Sequence, residues 1–363
     1  LLGCAGHPVV KTPHLDQIAH SGTRFANAYS ASPLCGPARA SLATGRWPHQ
    51  TGHWDNCLVY HGAEASWGHR LREAGHRTAS AGKLHYRSSE DDNGFDEEVV
   101  PMHILDGVGG LPMLLRWNNE QPRMPGQWKL YWDNLGAKET EYQVYDKEIT
   151  ANAIAWLERQ ARDHKDEPFT LFVSYVSSHP PFQVPERLLN LYPIEDMPLP
   201  SLYKEADMPR HPSLEHLRWI KGYHKMEDER VLRTIIAGYF GLITHLDEQV
   251  GHVITAAERL GLLDGARLMY SSDHGEAYGN HGIFGKNNLM EPSVRVPLLM
   301  SGPDVPTGHV VRQFASGVDL FPTLVEGGGA RLGAADADIA GRSLFPAMNG
   351  HEDAGRIGFA EFH

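Results

Sequence analysis

Leu268-Met269-Tyr270-Ser271-Ser272-Asp273-His274-Gly275-Glu276 opens with β-forming residues and passes at once into a polar, glycine-bearing turn that carries three titratable side chains. A short apolar run of this kind reads as a buried strand, and the polar turn after it as the loop leaving its carboxyl end. The pattern recurs. Residues 78–81 run into Gly82-Lys83-Leu84-His85, and residues 169–176 run into Ser177-Ser178-His179-Pro180-Pro181. A fourth candidate strand covers 296–300.

Between these runs, apolar residues spaced by three and four predict helices over 38–44, 67–74, 147–163, 230–260 and 320–325. Strands alternating with longer helices, without internal repeats or low-complexity tracts, specify an α/β domain: one large mixed, mostly parallel sheet sandwiched by helices. Functional groups in such sheets gather beyond the carboxyl ends of the strands, where the sequence puts its titratable residues. Two polar stretches, roughly 100–139 and 183–228, are too long for simple connections and are expected to be lids or substrate loops of one catalytic domain over 1–363.

The composition narrows the function. With 363 residues, 41% hydrophobic and 21% charged, the chain has the means to bury a large core. A net charge of -12 excludes a protein that lives on phosphate-backbone contacts, so no nucleic-acid partner is expected. No run of eighteen apolar residues exists, so no membrane span is expected either. Cys4, Cys35 and Cys57 cannot build a disulfide framework, and they leave the compartment open between cytoplasm and periplasm. The oligomeric state is open too, a homo-oligomer included.

The most informative segment is Ser32-Pro33-Leu34-Cys35-Gly36-Pro37-Ala38-Arg39-Ala40-Ser41-Leu42-Ala43-Thr44-Gly45-Arg46. Pro37 suits the first turn of a helix, which puts Cys35 at the positive end, where free N–H groups favour an oxyanion. Arg39 lies one turn further on. Alone, Cys35 would be an ordinary buried thiol, Asp273-His274-Gly275 an ordinary turn, and each cation a solvated side chain.

The Cys-x-Pro-x-Arg pattern followed by Ala-Ser-Leu-Ala-Thr-Gly-Arg resembles the signature of the sulfatase family, in the alkaline phosphatase superfamily. The resemblance extends in order through Thr12-Pro13-His14-Leu15-Asp16, Gly82-Lys83-Leu84-His85, Ser272-Asp273-His274-Gly275, and Lys286 with Arg295-Val296-Pro297-Leu298. Trp54-Asp55-Asn56 and the Asp273-His274 pair look like choline sulfatases and phosphonate monoester hydrolases within that family.

The resemblance implies an alkaline-phosphatase-like fold and a sulfate-ester hydrolase whose nucleophile is formylglycine, made from Cys35 by a maturation enzyme. It implies that Asp273, His274 and the position-35 oxygen bind one divalent metal, calcium or manganese, with magnesium a third candidate. Lys83 and Lys286 would contact substrate oxygens, Arg39 would orient the formylglycine, His85 would take its second proton, and His179 would protonate the leaving group while contacting substrate. Asn56 would line the substrate side. No role is assigned to His49, His53, His281 or Glu276. Family members usually open with a strand carrying metal-binding carboxylates and close with a smaller subdomain. Measured against them, the chain reads as incomplete ahead of Leu1 and after His363.

Two rival readings share these residues. One is a phosphonate monoester or phosphodiester hydrolase with the same nucleophile and metal, since the tetrahedral groups are alike in shape. The other is a non-catalytic binding module on the same fold.

Overall fold

The strand Gly22–Tyr29 (β1) lies at the centre of one ladder, parallel to His309–Ser316 (β7) and antiparallel to Leu298–Ser301 (β6), which pairs antiparallel with Leu268–Ser271 (β5). A second, all-parallel ladder places Arg77–Lys83 (β2) between Glu97–Met102 (β3) and Phe169–Ser174 (β4). The computed structural model describes residues 1–108, 128–223, 226 and 228–363. The middle of the expected 100–139 loop, and residues 224, 225 and 227 of the second, lie outside the described residues.

The expected mixed, mostly parallel α/β architecture is present, but among the described residues its strands form two ladders and not one continuous sheet. The edge strands β4 and β5 face each other across a cavity of about 1550 Å³, lined in part by Leu171, Val173, Val253, Met269 and Tyr270. The cavity continues to the carboxyl ends of the strands, where it meets Arg39, Lys83, His179, Asp273, His274 and Lys286.

The helices flank these ladders. Those of seven residues or more, among the described residues, are Pro13–His20 (α1), Cys35–Thr44 (α2), Trp67–Glu73 (α3), Glu141–Asp163 (α4), Pro212–Lys221 (α5), Glu229–Arg259 (α6) and Leu320–Gly327 (α7). Along α4 the buried residues Gln143, Asp146, Ile149, Thr150, Ala153, Trp156, Leu157 and Gln160 recur at three and four, giving one face to the core. At 31 residues α6 spans about 46 Å, and it starts where Asp228 accepts hydrogen bonds from Arg230 N and Val231 N at 3.0 and 3.2 Å. Among the described residues no helix is long and apolar enough to cross a membrane.

Described residues of the 183–228 stretch pack against α6. Leu188, Tyr192, Met197 and Tyr203 are buried against Ile235, Ile236 and Phe240 of α6. Its helix α5 is strapped to the site-bearing side of the molecule by the Arg218 guanidinium, which donates to the His281 carbonyl at 2.8 and 3.1 Å.

Candidate active site

Cys35 is the first residue of α2, entered from Leu34 in an extended conformation. Gly36 is required beside it: a Cβ there would stand 2.8 Å from Val59 Cγ1 and 2.9 Å from the Asp55 carbonyl. That close approach lets Asn56 Oδ1 accept the Gly36 N–H at 2.8 Å. Asn56 therefore caps the start of the helix that carries Cys35.

The Cys35 Sγ lies 3.1 Å from His274 Nε2, although the residues are 239 positions apart. His274 donates its Nδ1–H to the Gly275 carbonyl at 2.9 Å, which turns Nε2 towards the Cys35 sulfur. Ser30 Oγ donates to the Asp273 carbonyl and so fastens the end of β1 to the loop after β5. One turn along α2, the Arg39 guanidinium donates to Asp273 Oδ2 at 2.8 Å, to the Lys83 carbonyl at 2.6 Å and to Ser174 Oγ at 3.1 Å.

Burial works against every charge here, and for Cys35, Asp273 and Lys286 the neighbours outweigh it. Burial would raise the Cys35 thiol, but Lys286, Lys83 and His274 bring it well below the usual thiol range. Asp273, likewise opposed by burial, is held well below the usual carboxylate range by His274, Arg39 and the two lysines. Burial lowers Lys83 below an ordinary lysine. For Lys286 the attraction of Cys35, Asp273 and Glu276 outweighs burial and raises it.

The two further histidines behave as neutral bases. Burial lowers His85, against a hydrogen bond with Cys35 that would raise it. Burial, then Lys286 and Lys83, lower His179 to about 3. Its Nδ1–H donates to the Pro180 carbonyl at 2.9 Å, so Nε2 is the nitrogen free to act. The structure thus gathers Cys35, Arg39, Lys83, His85, His179, Asp273, His274 and Lys286 about one end of the cavity, with Asn56 behind Gly36.

Three supporting residues escape a reading of the sequence. Glu276 is half-buried, accepts the N–H groups of Tyr278 and Gly285, and attracts Lys286, so it closes the loop leading to that lysine. Lys221, at the end of α5, is lowered to about 8 by burial and by Lys286. Asp146 reaches the backbone ahead of His179. Glu276 stands in the titratable turn after β5 but without a legible role, and nothing local marks Lys221 or Asp146, because their partners lie far along the chain or in backbone amides. His49 and His53 bind Glu361 and the Leu58 carbonyl, away from this cluster.

The family described as Sulfatase matches residues 1–330 of this chain. The choline-sulfatase of Rhizobium meliloti (strain 1021) is 32% identical over 354 residues, covering 94% of this chain and 67% of that relative. Arylsulfatase K of Bos taurus is 28% identical over 361 residues, covering 95% of this chain and 62% of its own length. The chain thus spans about two thirds of the length of these relatives. Among solved structures, the phosphonate monoester hydrolase of Agrobacterium radiobacter superposes with a TM-score of 0.78 at 23% identity, over 98% of this chain and 76% of its own, a likeness of fold.

Proposed function

Because the chain belongs to the sulfatase family, we propose that it hydrolyses the sulfate monoester of a small alcohol, using a formylglycine formed from Cys35 and one divalent metal ion. The observation that carries this reading is the cluster itself. Cys35 Sγ stands 3.1 Å from His274 Nε2, Asp273 is paired with Arg39 at 2.8 Å, and Lys83 and Lys286 act on the same buried point. A sulfate monoester carries its charge on oxygens that repel a nucleophile, so cations fixed around the transferring group favour attack.

The donor set fits a divalent ion. Ligand atoms of Cys35, Asp273 and His274 lie within 4.8 Å of one another, and the thiol sulfur stands for an oxygen of the modified residue. The carboxylate suits calcium or magnesium, and the imidazole favours manganese. A bound ion supplies positive charge that lowers the pKa of a neighbouring hydroxyl and holds a substrate oxygen. The formylglycine, once formed, supplies a hydrate with one hydroxyl to attack sulfur and a second whose proton is withdrawn as sulfate departs and the aldehyde returns.

The chain's own side chains do the rest. Lys83 and Lys286 bind sulfate oxygens. Arg39 holds Asp273 and, through the Lys83 carbonyl, the end of β2, so the position-35 side chain faces a rigid wall. His85, neutral and beside position 35, accepts the second hydroxyl's proton. His179 Nε2 delivers a proton to the departing alcohol oxygen. Burial first, and then the two lysines, hold His179 neutral; an anionic sulfate between the lysines would offset their part of that effect and so favour the protonated ring.

The test has two parts. The chain is produced alongside a formylglycine-generating enzyme, and the peptide spanning Leu34 to Arg39 is read by mass spectrometry. Rates on a nitrophenyl sulfate and a phenylphosphonate ester are then measured side by side. Conversion with faster sulfate turnover supports the proposal. Faster phosphonate turnover would transfer the machinery to the rival ester class, and conversion without turnover of either would favour a binding module.

A further inference from the structure

Asp146 is fully buried on α4, at a position in the helix's core-facing stripe that would otherwise take an apolar side chain. Its oxygens reach across to the chain leaving β4, where Oδ1 accepts Val176 N–H at 2.8 Å and Oδ2 accepts Ser177 N–H at 3.1 Å. The turn held there is closed by His179 N–H donating to the Val176 carbonyl at 3.0 Å. Its far end is fixed by His179 Nδ1–H on the Pro180 carbonyl at 2.9 Å.

The surroundings leave this carboxylate little freedom. Thr150 Oγ1, one turn along α4, bonds the main-chain carbonyl of Asp146 at 3.0 Å and lies 3.0 Å from Tyr175 Oη and 2.9 Å from Gln249 Oε1 of α6, so it ties α4 to its neighbours without touching the carboxylate. His245 Nε2 of α6 lies 3.8 Å from Asp146 Oδ2 on its other side. Lys83 attracts the carboxylate from the direction of the pocket. An amide in place of the carboxylate would offer one acceptor oxygen and turn an N–H₂ towards the second backbone N–H, so both amides are held together only by the acid.

We propose that Asp146 is a positioning residue for the leaving-group step: by gripping the Val176 and Ser177 amides it sets where His179 Nε2 stands over the pocket. This rests on the reading of His179 as proton donor to the departing alcohol. The carboxylate itself touches no reacting atom. Its effect is therefore confined to esters whose leaving oxygen needs the proton.

The test compares an alkyl sulfate, with a basic leaving oxygen, and a nitrophenyl sulfate in four forms of the matured protein: unaltered, Asp146→Asn, His179→Ala and the double variant. Asp146→Asn is expected to lower kcat on the alkyl ester by roughly 10- to 100-fold, the scale of a displaced catalytic group, and to leave the nitrophenyl ester within about threefold. In the His179→Ala background it should add nothing. Equal losses on both esters, or a full additional loss in the double variant, would overturn the proposal while leaving the reading of His179 intact. Absence of leaving-group discrimination in His179→Ala would overturn both. Thr150→Val serves as a stability control that should leave the ratio of the two rates unchanged. Asp146→Glu, which keeps the charge but displaces it, reads the same ratio should the Asn variant fold poorly.

Discussion

Arg39 Nε lies 2.8 Å from Asp273 Oδ2, and the same guanidinium reaches the Lys83 carbonyl and Ser174 Oγ. One side chain on α2 thereby joins the loop after β5 to the ends of β2 and β4, across the divide between the two ladders. The pair is largely buried, with 11% and 14% of the side chains exposed. Removing Arg39 leaves its buried acceptors unpaired, while His274, Lys83 and Lys286 still attract Asp273. Arg39→Met is expected to cost about 1–3 kcal/mol in denaturant unfolding, from the acceptors that it leaves unpaired. Arg39→Lys should recover only part of this, because an ammonium cannot span three acceptors in a planar fork. An Arg39→Lys protein as stable as the unaltered chain would show that the bridging geometry is unimportant.

His179 is assigned the leaving-group proton, which predicts a selective defect. His179→Ala should slow an alkyl sulfate by about 10²- to 10⁴-fold, the usual range for a general acid, and a nitrophenyl sulfate much less. Steady-state rates on the two esters read this directly, and equal losses would remove the role.

Acid sensitivity follows from His245. It is 1% exposed on its side chain and lowered to about 4 from 6.5, chiefly by burial. Glu248, Lys147, Arg187 and Glu139 also act on it, and Asp146 lies beside it. Its folded pKa is below its unfolded one, so the unfolded chain takes up the proton first. The associated stability is complete above about pH 6.5 and is lost as pH falls towards 4. His245→Gln should make stability less steep by about 2–3 kcal/mol across that window, measured by denaturant titration at several pH values. An unchanged slope would place the acid sensitivity elsewhere.

Asp273 offers its carboxylate to both Arg39 and the proposed ion. Asp273→Asn should weaken manganese or calcium binding by at least about tenfold in calorimetric titration. Unchanged affinity would mean that the ion is held by other groups.

The residues behind these effects differ in how visible they are in the sequence. The segment around Cys35 and the strand-ending motifs at Lys83, His179 and Asp273 are legible because the chemistry sits in short, contiguous stretches. Strand β5 coincides with the expected 268–271, and α2 begins at Cys35, three residues before the expected start. Strands β1, β3 and β7 carry no comparable signal. Gly22–Tyr29 and His309–Ser316 mix arginine and other polar residues into their runs, and Glu97–Met102 pairs acidic residues with a proline inside an apparent loop. Neighbouring strands and helices, not a periodic apolar pattern, hold them in place.

Asp146 shows a different limit. Apolar spacing predicts a helix from 147, whereas α4 begins at Glu141, with Gln143 Oε1 accepting the Thr140 N–H at 2.8 Å. An aspartate ahead of a helix reads as a cap or a solvated charge. Only the packed structure shows it buried against the amides of Val176 and Ser177.

The central claim is that sulfate-ester hydrolysis depends on a formylglycine at position 35. The most direct measurement is nitrophenyl sulfate turnover in preparations whose fraction of converted Cys35, read by peptide mass spectrometry, runs from none to complete. The account predicts turnover proportional to that fraction and none in the unconverted thiol. Full turnover by unconverted protein, or none after complete conversion, would contradict it.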